Sequence, residues 1–177
     1  MHYFKIGKLV ATYGVKGELV LKHSLGKKTA LKDLEAIFIE EKEDSFIPYF
    51  IQSAKIKNAE EVYIKLEGLD SRESAHILTP KAAWLPQEDF KRFAAATAPI
   101  AMLGFTMVNE DQELGEILEV IEQPHQLLCK ISLKGIDVLI PIHEASLKKI
   151  DKKSRKVFVT LPDGLLDIYT DPSKEKD

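Results

Sequence analysis

Short β-favouring runs at close spacing are the feature that most limits how this chain can fold. They read FKIGKLVAT, GELVLKH, AIFIEE, FIPYFIQSAKI, EVYIKLEG and AAWLP in the first half. In the second half they read AMLGFTMVN, GEILEVIE, LLCKISL, DVLIPI, KVFVTL and LLDIY. Glycine, proline or clustered charge separates them, which is the punctuation of strands and turns. In EVYIKLEG, Val62, Ile64 and Leu66 alternate with Tyr63 and Lys65, the period of a half-buried strand. The strand–helix alternation of a parallel sheet is missing. The pattern therefore predicts an all-β protein of two small antiparallel β-barrels joined by a short linker, with a few short helices, because closure removes exposed strand edges.

The helical signals are sparse. In LDSRESAHIL, Asp70 stands at an N-cap position with Glu73 three residues on, which reads as a capping box. Ala75, Ile77 and Leu78 would face the sheet, and Pro80 would end the helix. Pro86 and Pro99 flank a stretch read as a short helical turn and an alanine-rich linker, so the expected domains are residues 1–88 and 97–177. NEDQELG, residues 109–115, reads as a polar hairpin turn, HEASLKKID as a helical turn, and DPSKEKD as a frayed polar tail. Trp84 in KAAWLP is expected to anchor the first core.

Composition narrows the function classes. No apolar run approaches the roughly 20 residues of a membrane-spanning helix, and no secretory signal opens the chain, so the expected location is the cytoplasm. The single cysteine, Cys129, lies in the apolar run LLCKISL and reads as a core residue. Residues 1–86 carry 13 Lys and Arg against 12 Asp and Glu, while residues 87–177 carry 12 against 16. This is not the balance of a protein that lives mainly on nucleic-acid phosphates. The acidic second half suits a basic protein partner or a plain solvated surface.

The stretch ATYGVKGELVLK holds the clearest local motif. It is not a phosphate loop, because only two residues separate Gly14 from Gly17 and Glu18 follows the second glycine. G-V-K-G matches the backbone-clamping loop of KH domains, but that loop joins helices and here strands flank it. What remains is a strand-connecting turn, with Lys16 at an exposed tip and Tyr13 beside it as either core or contact residue. His2, His23, His76, His125 and His143 are scattered without ligand spacing, and neither a G-x-S-x-G elbow nor an H-E-x-x-H helix occurs. No catalytic residue, metal or cofactor is expected.

IGKLVATYGVKGELVLK resembles the opening signature of the RimM family of bacterial ribosome maturation factors, also called 16S rRNA processing proteins. LEGLDSRESAHILTPKAAWLP continues the likeness, and LGFTMVNEDQELGEILEVIEQPHQLLCKI and VLIPIHEASLKKIDKKSRKVFVTLPDGLLDIY resemble the family's second domain, a PRC-barrel. The likeness is collinear over nearly the whole chain. It implies a non-enzymatic, cytoplasmic, monomeric assembly factor that binds the immature small ribosomal subunit through small-subunit ribosomal protein nineteen in the head. Such binding would assist processing of the 16S rRNA, with direct rRNA contact left open. The turn offers Tyr13, Gly14, Lys16 and Gly17 as partner-binding residues in the first domain, with Lys16 a phosphate or carboxylate contact, and the segments EQPHQLL and PIHEASL, which resemble the family's, add Pro124, His125, Gln126, Pro141 and His143 in the second. The chain has Tyr13 where many members have His, and Gln126 where many have an acidic residue. Two rival readings stand beside it: an RNA-processing or RNA-modifying enzyme, and a PRC-type module with an unrelated regulatory partner.

Overall fold

Residues 2–170 are described by a computed structural model of the chain. They divide into two compact units between Ala101 and Met102. The expected polar tail, DPSKEKD, lies outside the described residues.

The first unit is a closed barrel of six strands: β1 (Tyr3–Tyr13), β2 (Glu18–His23), β3 (Ala36–Lys42), β4 (Ser45–Ile56), β5 (Glu61–Leu66) and β6 (Ala82–Pro86). Around the barrel the order is β1-β2-β5-β4-β3-β6, with every neighbouring pair antiparallel. Alternation decides which side chains point inward. Leu19 and Leu21 of β2, Ile37 and Ile39 of β3, and Val62, Ile64 and Leu66 of β5 are fully buried. Phe4, Ile6 and Leu9 of β1 join them across a break in register, which keeps the inward face continuous as the strand bends.

Trp84 departs from its expected place in the core. Ala83 and Leu85 point inward, so period 2 turns Trp84 outward, where it meets the Phe46 ring edge-on at 5.1 Å. Phe46 stacks on Tyr3 at 4.3 Å, and Tyr3 also touches Phe38. The four rings cover the outside of the barrel where β3, β6 and β1 meet.

The first helix, α1 (Arg72–His76), forms with a different cap. Ser71 is the N-cap and Ser74 closes a reciprocal box, with each serine side chain accepting the other residue's backbone N–H. Asp70 is engaged elsewhere, pairing with Lys65 at 2.9 Å. Ala75 and Leu78 are buried as expected, but Ile77 is 64% exposed. The helix has already ended at His76, before Pro80.

The second helix, α2 (Gln87–Phe93), belongs to the first unit. It buries Phe90 edge-on against Phe4 at 4.9 Å, and Phe93 is buried with it. The Ala95 N–H then donates to the Leu25 carbonyl at 2.7 Å, so the alanine-rich segment is tied to the barrel.

The second unit is a six-stranded sheet: β7 (Thr106–Asn109), β8 (Gln112–Gln123), β9 (Gln126–Leu133), β10 (Ile136–Ile142), β11 (Leu147–Asp151) and β12 (Lys156–Val159). The order is β10-β9-β8-β7-β12-β11. All pairs are antiparallel except β12–β7, a correction to the purely antiparallel expectation. Strand β8 is shared along its length, with Gln112–Glu116 pairing β7 and Ile117–Gln123 pairing β9. The core gathers Met107, Ile117, Cys129, Ile131, Val138, Ile140 and Val157, all fully buried.

Three further local readings change. Pro99–Met102 is a 3-10 turn, so β7 begins only at Thr106. HEASLKKID is mostly strand β11, the helical turn being limited to the bend at Glu144–Ser146. LLDIY ends in a short helix, α3 (Asp167–Thr170), and not in a strand. No helix among the described residues is long and apolar enough to cross a membrane.

His23 ends β2 at 3% exposure. Its Nδ1 accepts the Leu25 N–H at 3.2 Å, while its Nε2 is buried without a partner. Burial holds its pKa below the usual 6.5, against the opposing pull of Glu60. The unfolded chain therefore binds a proton more readily than the folded one. This contribution to stability is complete above pH 6.5 and is lost as pH falls from there towards the folded value. Thermal melts between about pH 7.5 and 5 should show a falling Tm that His23→Gln flattens, and a variant as pH-sensitive as the parent would contradict this.

Candidate functional site

The residues singled out by sequence fall into two groups, one in each unit. In the first unit, Tyr13, Gly14, Lys16 and Gly17 form the β1–β2 turn, the connection read from the sequence. Tyr13 is 49% exposed and Val15 73%, so this tip is surface and not core. Lys16 is exposed as well.

The turn is held from behind. Gly17, at φ +88°, presses on the Leu69 carbonyl, and a Cβ there would collide with it. Gly14, at φ +67°, faces open space. The Arg72 N–H donates to the Val15 carbonyl at 3.2 Å, and the Arg72 Nε donates to Thr12 Oγ1 at 3.3 Å. Lys65 fixes the segment that does this holding. Its Nζ donates to the Leu66 and Leu69 carbonyls at 3.2 and 2.7 Å and to the Asp70 carboxylate at 2.9 Å. One mostly buried ammonium thus sets the position of Leu69, and Leu69 backs Gly17.

Tyr63 is a residue the sequence reading left out of the site. Its ring lies 4.3 Å from that of Tyr13. The register explains why: Val20 pairs with both Ala11 and Tyr63, so Tyr13 and Tyr63 converge on the outer face around Val20. Val20 is consequently buried although its neighbours Leu19 and Leu21 take the inward face. Lys55 and Lys57 each lie 5.8 Å from the Tyr63 ring centre. The outward place of Tyr63 was readable from alternation, whereas its partnership with Tyr13 depends on strand order.

In the second unit the register gathers the other candidates at one end of β8-β9-β10. Gln123 pairs with Gln126, leaving Pro124 and His125 as a two-residue turn, and the two glutamine side chains hydrogen-bond at 3.0 Å. Leu127 pairs with Ile142 and Leu128 with Pro141, so His143 follows directly at the same end. Pro124, His125, Gln126 and His143 are exposed, and Pro141 is half-buried. The His143 backbone is pinned by the buried Ser146, whose Oγ accepts the His143 N–H at 3.1 Å and donates to its carbonyl at 3.2 Å.

Ile121 and Leu128 also belong here. Ile121, Leu128 and Pro141 are cross-strand partners, opposite in parity to the buried Cys129 and Ile140. They form a half-buried apolar row on the outward face. An outward apolar row of this kind suits the centre of a protein–protein contact.

Cys129 lies in the core, and burial pushes its thiol up to about 12. It stays protonated near neutrality and is a poor nucleophile. Among the described residues, no group of three or more His, Cys, Asp or Glu could hold a metal ion.

The chain is also similar to known proteins. The model of the RimM N-terminal domain matches residues 4–90, and that of the RimM PRC barrel domain matches residues 100–165. Ribosome maturation factor RimM of Parabacteroides distasonis is 30% identical over 169 residues, covering 93% of this chain and 96% of that protein. The protein of the same name from Christiangramia forsetii is 26% identical over 168 residues, covering 94% and 95%. The chain therefore belongs to the RimM family. Among solved structures, it is similar to the putative 16S ribosomal RNA processing protein RimM of Pseudomonas aeruginosa, at 19% identity and TM-score 0.40, covering 91% of this chain and 98% of that one.

Valine at either turn glycine should lower stability, by different amounts. Gly14→Val introduces only the left-handed backbone strain, about 1 kcal/mol. Gly17→Val adds a clash with a backbone carbonyl that cannot move freely, so its loss should be clearly larger in urea melts. Equal losses would contradict the backing role of Leu69.

Proposed function

We propose that this protein is a non-enzymatic, cytoplasmic ribosome maturation factor. It binds the immature small ribosomal subunit at the head through small-subunit ribosomal protein nineteen and assists processing of the 16S rRNA. The second unit makes the main protein contact, through the row Ile121, Leu128 and Pro141 and the neighbouring Pro124, His125, Gln126 and His143. The first unit offers the turn Tyr13, Gly14, Lys16 and Gly17 to the maturing particle. The protein acts as a monomer.

Family membership supports the class. The observation that carries the binding mode is the convergence of separate sequence segments, 121–128 and 141–143, on one outward apolar row. The protonated, buried Cys129 speaks against the rival enzymatic reading at the chain's one thiol.

In the full chain, Leu128→Gln combined with His125→Ala should weaken binding to the isolated ribosomal protein at least tenfold, about 1.4 kcal/mol, with little change in Tm. Lys16→Ala should leave that affinity intact and weaken only binding to the immature particle, more at low salt than at high. If Lys16→Ala weakens binding to the isolated protein while the double variant does not, the contact lies on the first unit and the assignment fails.

A further inference from the structure

The second unit is acidic as a whole, but its charges are segregated. Residues 147–156, which form β11, the turn and the start of β12, contain Lys148, Lys149, Lys152, Lys153, Arg155 and Lys156 against the single carboxylate of Asp151. The other described residues of the unit carry only Lys130 and Lys134 against ten carboxylates. A net charge hides this arrangement completely.

The hairpin is built to present its cations. Asp151 turns inward on its own loop, where its carboxylate accepts the Lys153 N–H at 3.0 Å and the Ser154 N–H at 3.3 Å. Lys149 lies over the Phe158 ring at 6.0 Å, and Arg155 over the Phe105 ring at 5.3 Å. Lys156 pairs with Glu113 at 2.8 Å. Lys148, Lys152 and Lys153 are exposed, and among the described residues no carboxylate lies within ion-pair distance of them.

Lysines on an edge strand also discourage strand pairing, and β11 is an edge strand. Lys148 and Lys149 serve that role whatever else they contact. The role does not account for Lys152, Lys153 and Arg155, which lie in the turn, or for Lys156 on β12, which has strands on both sides. The tip, Lys152-Lys153-Ser154, is entirely polar, so it lacks the apolar residues that a membrane-surface element buries.

We infer that the β11–β12 hairpin is a contact for the phosphate backbone of RNA, separate from the protein-binding row on β8-β9-β10. The choice of RNA among polyanions rests on the maturation-factor reading. The two surfaces then divide the labour of one unit: an apolar row for the protein partner, a cationic hairpin for the nucleic acid beside it. Contacts of this kind are not sequence-specific and release counterions, so they show as salt dependence.

The test uses the full chain with two labelled probes, an RNA stem-loop and an oligouridine of equal length, titrated over a range of salt. Replacing Lys148, Lys152 and Lys153 together by Gln should weaken RNA binding at least tenfold at low salt. It should also flatten the slope of log Kd against log salt by about two for the single strand. The same three positions as Arg should restore both, and the Gln variant should keep the parent Tm and its affinity for the isolated ribosomal protein. Unchanged affinity and slope would overturn the inference. So would tighter binding of the parent chain to phosphatidylglycerol vesicles than to either RNA. Co-sedimentation of the parent chain with immature small subunits, run alongside, separates the two claims: if it co-sediments while the Gln variant binds RNA normally, the hairpin assignment alone has failed. If it does not co-sediment, the maturation-factor reading has failed.

Discussion

The first unit depends on the closure of its barrel. β6 pairs with β1 over Tyr3–Lys8 but meets β3 at the single pair Phe38–Trp84. Hydrogen bonding alone leaves that seam thin. Side chains reinforce it from both sides, with Ile37, Ile39, Ala83 and Leu85 packed inside and Tyr3, Phe38, Phe46 and Trp84 packed outside. Burying one Leu or Ile side chain contributes about 1.5–3 kcal/mol, so the apolar lining outweighs what a few missing ladder bonds cost. Closure also leaves β1 and β2 no free edge, and their turn inherits a fixed frame.

Positions on turns become useful only when something rigid holds them. In the first unit, Lys65 ties the 66–70 segment, Leu69 backs Gly17, and Arg72 holds the Val15 carbonyl, so Lys16 projects from a braced tip. In the second, Ser146 does the equivalent for His143, and the two-residue turn at Pro124–His125 is braced by the glutamine pair on either side. Both groups present their candidate contact residues from braced backbone.

Much of the strand content was legible because it follows from alternation and turn chemistry, which are local. All six strands of the barrel come from runs visible in the sequence. What was not legible depended on tertiary context. Asp70 looked like a cap, but Lys65 claims its carboxylate and the cap passes to Ser71. Trp84 read as an anchor of the first core, but parity with Ala83 and Leu85 put it outside. The parallel pairing of β7 with β12 joins segments far apart in the chain and leaves no local mark. The candidate site behaved likewise: the turn at Gly14–Gly17 could be read directly, whereas the nearness of Tyr63 to Tyr13 and the row Ile121, Leu128 and Pro141 exist only through strand register. The basic hairpin at 148–156 was in plain sight but averaged away by the acidic strands around it.

In the proposed function, this protein works by holding preformed turns against a ribosomal particle. Amide hydrogen exchange of the full chain, with and without saturating immature small subunits, tests it most directly. The account expects new protection concentrated at 121–128 and 141–146, with a second patch at 13–17, while the barrel interior is unchanged because it is already slow. Protection spread over the buried strands, or none at either set of turns while the complex is intact, would contradict it.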